Sequence, residues 1–326
     1  MSMLSIGRRA RVIALGLCTG AAACSMSACA STPDDTSSVP IQPTALAADI
    51  RFIQANGLRF AYLEEGTGPL ILLLHGYPET ARSWSAVQHR LAAAGYRVVA
   101  PFMRGYPPSA FPADGDYAAA RLGEDALALI GALGEQSATL VGHDWGGMAA
   151  YTAASMQPEK IAKLVGVAVP PPRAFGTDPT IFVAAPHFVY YQLPWAAGMV
   201  RSHDFEHVER MYKLWAPSYT APPEVIDDIK ATFRIPGAVE GALGYYRALL
   251  KNPLATLRQA RAPVTVPTLM IAGKEDGAFA LSRFEKASVG FTGPHALVAL
   301  NGVGHFPQLE APEQTADAIL AFLRGQ

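Results

Sequence analysis

The sequence predicts an α/β fold in which a mostly parallel sheet is flanked by helices and carries a helical lid inserted after its sixth strand. From about Asp49, short apolar runs alternate with segments of helical period, which is typical of right-handed βαβ units. After Pro170-Pro171-Pro172 this alternation stops, and residues 173–252 are rich in aromatic residues and methionine and largely helical in period. The strand and helix pattern then resumes over 253–326.

The elements follow in order along the chain. Asn56-Gly57 is a strong turn signal, so IRFIQA and LRFAYLEEG are expected to form an opening hairpin. The later predicted strands are LILLLHG, RVVAPF, ATLVGH, IAKLVGVAV, VPTLMIAG and HALVAL. The predicted helices are SWSAVQHRLAAAG, YAAARLGEDALALIGALG, GMAAYTAASM and APEQTADAILAFL. Residues 49–172 and 253–326 therefore form one core, and the lid at 173–252 is expected to cover a site at the carboxyl ends of the strands.

The N-terminus has the features of an export signal. Arg8, Arg9 and Arg11 precede the apolar run VIALGLCTGAAA, which is too short and alanine-rich to span a membrane securely. MSAC, ending at Cys29, resembles a bacterial lipoprotein cleavage motif. We expect a signal peptide over 1–28, a lipid on Cys29, and a Pro/Ser/Thr/Asp-rich tether over 29–48. A simple cleaved signal and an uncleaved anchor are the alternatives.

This signal predicts export across the inner membrane and a periplasmic or extracellular protein, held to the membrane only by that lipid. The chain has 26 Lys+Arg and 27 Asp+Glu; without the three arginines of residues 1–28 the balance is 23 against 27, or −4. There is no long basic run, which argues against a nucleic-acid partner. All three cysteines, Cys18, Cys24 and Cys29, precede the folded part, which therefore has no disulfide or thiolate chemistry. The oligomeric state is not indicated.

The stretch TLVGHDWGGMAA is similar to a nucleophile elbow, the sharp strand-to-helix turn with the pattern G-x-S-x-G. Gly142 and Gly146 occupy the two glycine positions, and Asp144 occupies the position of the nucleophile. An aspartate after a strand is often only a helix N-cap. The framing glycines and the strand-like run before them favour a nucleophile instead.

Two further residues complete a catalytic set in the chain order nucleophile, acid, histidine. Asp276 lies in a loop just past the strand of MIAGKEDGAF, with Glu275 as the alternative acid. His305 follows the next strand, in NGVGHFPQLEAPE. HGYPET turns tightly after the strand LILLL, so the backbone N–H groups of Tyr77 and Trp145 are predicted to converge on a developing oxyanion, with His75 beside them.

Four motifs in order, HGYPE (75–79), GHDWGG (142–147), AGKED (272–276) and GHFPQLEAP (304–312), resemble the α/β-hydrolase fold and, within it, the epoxide hydrolase branch. The resemblance runs from about residue 50 to the C-terminus. It implies an enzyme that combines a small-molecule epoxide with water. No cofactor is implied, and the sequence has no G-x-G-x-x-G or Walker loop.

An aspartate nucleophile indicates a saturated electrophilic carbon. A serine attacking such a carbon would leave an ether that the enzyme could not hydrolyse, whereas a carboxylate leaves an ester that water can cleave. His305, oriented by Asp276, would then be the base for the water that attacks the Asp144 ester.

The lid segments YYQLPW and GYYRAL resemble motifs in which two phenols grip the epoxide oxygen and one donates a proton. Matching residue by residue picks Tyr191 and Tyr246. Consecutive helical residues point about 100° apart, so only one tyrosine of each pair should face the site.

Other readings remain open at this point. A dehalogenase on the same scaffold is the alternative, although haloalkane dehalogenases commonly have asparagine where Tyr77 stands, and haloacetate dehalogenases tend to have arginine in place of Trp145. A non-catalytic binding protein is the third possibility. Phe102 stands where many relatives have an acid, and we expect a local packing change there. His203 and His207 have helical i, i+4 spacing but no H-E-x-x-H pattern, so no metal site is predicted.

Overall fold

The structure is a computed structural model that describes residues 50–175, 185–251 and 261–326. The predicted signal peptide, Cys29 and the tether lie outside the described residues, as do 176–184 of the predicted lid and 252–260, which contain its predicted C-terminal boundary. Within the three described ranges, no helix combines the length and apolar character needed to cross a membrane.

The core is an eight-stranded sheet with the order β1-β2-β4-β3-β5-β6-β7-β8. β2 pairs antiparallel with β1 and with β4, and all other neighbours are parallel. The strands are β1 (Arg51–Ala55), β2 (Leu58–Glu65), β3 (Leu70–Leu74), β4 (Arg97–Pro101), β5 (Ala138–His143), β6 (Ile161–Val167), β7 (Thr268–Gly273) and β8 (His295–Leu300). The prediction of a mostly parallel sheet is confirmed.

Helices connect and flank these strands. They are α1 (Ser85–Ala93), α2 (Ala119–Ala132), α3 (Trp145–Met156), α4 (Pro172–Phe175), α5 (His187–Tyr190), α6 (Ala196–Trp215), α7 (Pro223–Arg234), α8 (Ala238–Lys251), α9 (Leu281–Glu285), α10 (Pro307–Glu310) and α11 (Pro312–Arg324). Short 3-10 turns occur at Ala81–Trp84, Pro158–Lys160 and Ala287–Gly290. α3 packs on β5, β6 and α2, while α1 packs against α11.

The central strands are apolar because both of their faces are covered. Every residue of β3, β5 and β7 is buried, which explains why LILLL, ATLVGH and TLMIAG lack polar alternation. The opening hairpin forms as predicted around Asn56 (φ 47°) and Gly57 (φ 71°). Both central residues of this turn have positive φ, which matches the twist of the flanking strands.

Between β6 and β7, the described residues form helices α4 to α8 and no strand. α6 is interrupted, because Ser202, His203, Asp204 and Phe205 have non-helical backbone angles. His203 and His207 are therefore not one helical turn apart on a continuous helix, and the prediction of i, i+4 spacing is wrong. Among the described residues, no group of three or more His, Cys, Asp or Glu side chains is arranged to hold a metal ion.

Phe102, which stands where an acid is usual, packs in the core. Its ring is fully buried, and the guanidinium of Arg82 lies 5.1 Å from the ring centroid. Two residues later, Arg104 forms a buried ion pair with Asp125, with 2.6 Å between Nε and Oδ2. This segment is held by packing and by that pair.

Candidate active site

Asp144 occupies a sharp turn between β5 and α3. Its backbone has φ 50° and ψ −116°, a combination that costs a non-glycine residue of order 1–3 kcal/mol and persists where the surroundings enforce it. The flanking glycines are required by close approach: a Cβ at Gly142 would collide with the backbone of Gly146, and one at Gly146 with the backbone of Leu74. The turn thus presents the Asp144 side chain at the carboxyl end of the sheet.

In the structure, His305 lies between the carboxylates of Asp144 and Asp276, the two acids that the sequence analysis predicted. His305 Nδ1 lies 2.9 Å from Asp276 Oδ2, and His305 Nε2 lies 3.8 Å from Asp144 Oδ2. Asp276 is oriented by the N–H groups of Ala278 and Phe279, which donate to its Oδ1 at 2.7 and 2.9 Å. The alternative acid Glu275 is exposed and accepts a hydrogen bond from Ser218 Oγ, so it does not contact the histidine.

Two groups that the sequence analysis missed hold the backbone around His305. The carbonyl of Trp215 accepts hydrogen bonds from the N–H groups of His305 and Gly277, both at 3.0 Å. A backbone carbonyl leaves no signal in a sequence. On the other side, His143 Nε2 donates to the carbonyl of His305 at 2.8 Å.

His143 lies in a buried polar cluster. Its Nδ1 lies 3.0 Å from Glu79 Oε2, and the same oxygen accepts from Gln308 Nε2 at 2.8 Å. Glu79, His143 and Gln308 are almost completely buried. Each of the three belongs to one of the four motifs described above. Their polar character within those motifs is the signal from which the sequence could have predicted this cluster.

The backbone N–H of Tyr77 donates to Asp144 Oδ1 at 2.9 Å. This places one predicted oxyanion donor on a carboxylate oxygen in the resting state. Trp145 is the first residue of α3, directly after Asp144.

The structure corrects the expectation for His75. Its Nδ1 donates to the carbonyl of Gly76 at 3.0 Å, and its Nε2 accepts from the N–H of Met103 at 3.0 Å. Burial lowers the pKa of His75 to about 4, in keeping with a neutral ring that has one donor and one acceptor nitrogen. Both nitrogens are engaged by the backbone, so the imidazole joins two loops and is not free to hold a substrate.

The two selected tyrosines lie side by side. Tyr191 and Tyr246 are fully buried with ring centroids 4.8 Å apart, and the ring of Tyr77 lies 5.3 and 5.5 Å from them. Tyr245 donates its hydroxyl to the carbonyl of Arg104 at 2.7 Å, while Tyr190 is only half-buried. One tyrosine of each pair, Tyr191 and Tyr246, therefore lies against the ring of Tyr77.

In the described part of the chain, the buried polar atoms without a hydrogen-bond partner include the hydroxyl of Tyr246 and Nε2 of His305 at the site. A buried polar group left unsatisfied costs about 1–3 kcal/mol, so such groups in a folded protein call for a functional or structural reason. Both atoms belong to side chains that the sequence analysis placed in the chemistry. They are available to a bound molecule.

The charges of the site are strongly coupled. Burial is the largest single influence on His305 and disfavours its charged form, but the charges of Asp276 and Asp144 and the hydrogen bond to Asp276 together raise the pKa of His305 to about 10. Burial disfavours the ionised form of Asp144 too, yet the interactions with His305 leave its pKa below the usual range. Burial raises the pKa of Tyr246 well above its ordinary value, and the Asp144 charge adds to this effect. The resting site thus holds an ionised aspartate, a protonated histidine and neutral phenols.

Comparison with known proteins agrees with this architecture. A family model described as the alpha/beta hydrolase fold matches residues 69–312, which include the elbow, the acid and the histidine. The chain belongs to the α/β-hydrolase fold family. The match spans both the core and the helical segment between β6 and β7.

Similar α/β-hydrolases include two curated relatives. An epoxide hydrolase from Caballeronia sordidicola is 32% identical, covering 83% of this chain and 92% of the relative. The AB hydrolase superfamily protein YfhM from Bacillus subtilis is also 32% identical, covering 85% and 98%. Among solved structures, epoxide hydrolase A from Mycobacterium thermoresistibile has a TM-score of 0.75 at 31% identity, covering 85% of this chain and 98% of that one. The fold and these relatives show that the protein is a hydrolase.

Proposed function

We propose that this hydrolase converts an uncharged, largely apolar epoxide into a vicinal diol through a covalent ester on Asp144. The observation that carries the proposal is the position of the Asp144 carboxylate. One of its oxygens accepts from the Tyr77 N–H, and the other lies 3.8 Å from His305 Nε2. The relatives named epoxide hydrolase, at about 30% identity, support the same activity.

In the first step, Asp144 attacks an epoxide carbon. Oδ1 is held by the Tyr77 N–H and becomes the carbonyl oxygen of the ester, so Oδ2 is the attacking atom. Because the pKa of Asp144 is lowered, the carboxylate is ionised near neutral pH and needs no base. The C–O bond of the ring breaks as the new C–O bond forms.

The ring oxygen then needs a proton, and the phenols of Tyr191 and Tyr246 provide the donors. Burial raises the pKa of both hydroxyls, so they stay neutral until a stronger base, the developing alkoxide, is beside them. The unpartnered hydroxyl of Tyr246 supports a role as a donor to bound substrate. General-acid help of this kind is worth about 10²–10⁴-fold in rate.

In the second step, water hydrolyses the ester with His305 as the base. Ester formation removes the negative charge of Asp144, so the protonated state of His305 loses one of its two carboxylate partners and its pKa falls. The ring then releases its proton and can deprotonate the attacking water. The Tyr77 N–H stabilises the oxyanion that forms on Oδ1, as such amides do in acyl transfer.

The surroundings favour a substrate without charge. Aromatic rings line the site, with Trp145 and His187 at 5.1 and 5.5 Å from the Tyr246 centroid and Trp215 at 5.0 Å from His305. Burial lowers the pKa of His187 to about 3, so its ring is neutral. No free cation was found among these neighbours within the described ranges that would pair with a substrate carboxylate.

The experiment that tests the proposal is trapping of the ester. His305→Gln should open the epoxide once and stall, because ring opening needs no base but hydrolysis does. Intact-mass analysis after mixing with an aryl or alkyl epoxide should show one added substrate mass, located at Asp144 by peptide mapping. The double variant Asp144→Ala with His305→Gln is the matched control and should stay unlabelled.

A variant that gains no mass while the native protein makes diol would contradict the covalent route. The same panel should include haloalkanes. Halide release without diol formation from any epoxide would replace the proposal with a dehalogenase.

A further inference from the structure

His207 makes a contact that the proposed mechanism does not use. Its Nε2 lies 2.6 Å from the hydroxyl of Tyr191. The same hydroxyl also lies 3.0 Å from Tyr77 Oη and 3.4 Å from Met211 Sδ. Tyr191 is therefore the middle of a short polar chain that ends at a histidine.

The two ends of this chain differ in their access to water. Tyr77 and Tyr191 are fully buried, whereas His207 is partly exposed. His207 is thus the member of the chain that connects the buried phenol to solvent.

The backbone just before His207 forms a strained left-handed turn. His203, Asp204 and Phe205 have φ of 51°, 50° and 60°, a left-handed turn that costs L-residues roughly 1–2 kcal/mol each. After the turn α6 resumes, and His207 and Met211, four residues apart, contact the same phenol. Non-glycine residues in this region persist where surrounding structure imposes them and cluster at functional sites.

Residues of α7 contact the turn. Asp204 accepts from Arg234 at 2.7 Å and lies 3.7 Å from Lys230 Nζ. Phe205 is buried, with its ring centroid 6.3 Å from that of Phe233. The turn is thus packed and paired against α7, and His207 follows it two residues later in contact with Tyr191.

We infer that His207 is a positioning and proton-relay residue for Tyr191: it holds the phenol and returns a proton to it from solvent in each catalytic cycle. The inference rests on the proposed function. When Tyr191 protonates the alkoxide of the opened ring, it becomes a tyrosinate in a buried site. His207 Nε2–H then donates its proton to the tyrosinate oxygen while Nδ1 takes one from water. Before the next cycle the ring exchanges protons with solvent and regains the Nε2–H tautomer.

The balance of protons closes over the cycle. One proton enters through His207 to replace the one given to the alkoxide, and one leaves when His305 releases its proton after ester formation. The proton that His305 then takes from the attacking water stays on the ring and restores the resting state. The relay requires a neutral imidazole, with one nitrogen protonated and the other free. Burial lowers the pKa of His207 to about 4, and the charge of Arg210 adds to this effect, so the ring is neutral near pH 7.

The test uses His207→Ala and two small molecules of nearly the same shape. We expect kcat for diol formation to fall about tenfold, below the full effect of a general acid because water can partly substitute, while KM changes little. Added imidazole should restore the rate. 1-Methylimidazole fills the same space and accepts a hydrogen bond, but it cannot pass a proton from one nitrogen to the other and should not rescue.

Two further variants complete the design. His207→Gln keeps a polar contact with Tyr191 but cannot relay, and it should be as slow as His207→Ala; it also serves if the alanine variant folds poorly. His89→Gln changes an exposed histidine on α1 whose ring contacts Glu65, and it is the control, with a native rate expected.

Native turnover in His207→Ala, or equal rescue by both imidazoles, would overturn the relay. A native enzyme that makes no diol from any epoxide would instead overturn the proposed function, so the two failures are distinguishable.

Discussion

Replacing Asp144 with asparagine is expected to lower the pKa of His305 from its native value of about 10. The side chain keeps its shape, and an amide oxygen can still accept from the Tyr77 N–H, but the charge 3.8 Å from His305 Nε2 is lost. At that separation, and at an effective dielectric constant of about 20, the interaction is worth about 4 kcal/mol. This corresponds to roughly a thousandfold weaker proton binding. The change mimics the charge state of the ester intermediate.

The assay is a titration of the histidine ring resonances by nuclear magnetic resonance. The protein has eight histidines, and the spectrum of His305→Gln identifies the relevant signal. Asp317→Asn removes a carboxylate that is 62% exposed on α11 and is the control. An unchanged His305 pKa in Asp144→Asn, or an equal fall in the control, would refute the view that ester formation frees His305 to act as a base.

The same pairing makes stability depend on pH. The folded-state pKa of His305, about 10, lies above the ordinary value of 6.5. The charged pair therefore stabilises the fold fully below pH 6.5, and this contribution is lost as the pH rises toward 10. Melting temperatures of the native protein should fall more steeply over that interval than those of Asp144→Asn. Parallel curves for the two proteins would contradict the coupling.

Three further outcomes are expected. Changing both Tyr191 and Tyr246 to phenylalanine should slow epoxide opening by about 10²–10⁴-fold, with smaller losses for each single change; near-native diol formation by the double variant would remove the phenols from the mechanism. Asp125→Ala leaves the buried guanidinium of Arg104 unpaired and should lower the free energy of unfolding by about 3–5 kcal/mol in denaturant titrations, and a loss near zero would contradict this. If Cys29 carries a lipid, Cys29→Ser should move the protein from the membrane fraction to the soluble fraction, whereas unchanged partitioning would exclude lipidation.

Local signals explain what the sequence could predict. The hairpin at Asn56-Gly57, the buried strands and the elbow glycines are encoded by neighbouring residues, and the chain order of Asp144, Asp276 and His305 follows from strand order. The pairing of His305 with Asp276 required only that β7 and β8 be adjacent, as they are.

Contacts between distant segments explain what it could not predict. The left-handed turn at His203–Phe205 contacts Lys230, Phe233 and Arg234 on α7. Helical periodicity does not report such contacts, so the i, i+4 relation of His203 and His207 was predicted wrongly. The His305 backbone is held by the carbonyl of Trp215. Because every residue has a backbone carbonyl, the sequence does not show which one makes this contact. His75 was misjudged because the motif containing it indicates proximity to the site but not the direction of the ring.

The central claim is that Asp144, and not water, attacks the epoxide. It is tested most directly by one turnover with excess native protein in ¹⁸O-labelled water. Attack by the carboxylate places an oxygen of Asp144 in the product, so the first diol should be mostly unlabelled while the label enters the Asp144 side chain. Diol that is fully labelled in that first turnover would mean direct attack by water and would contradict the account.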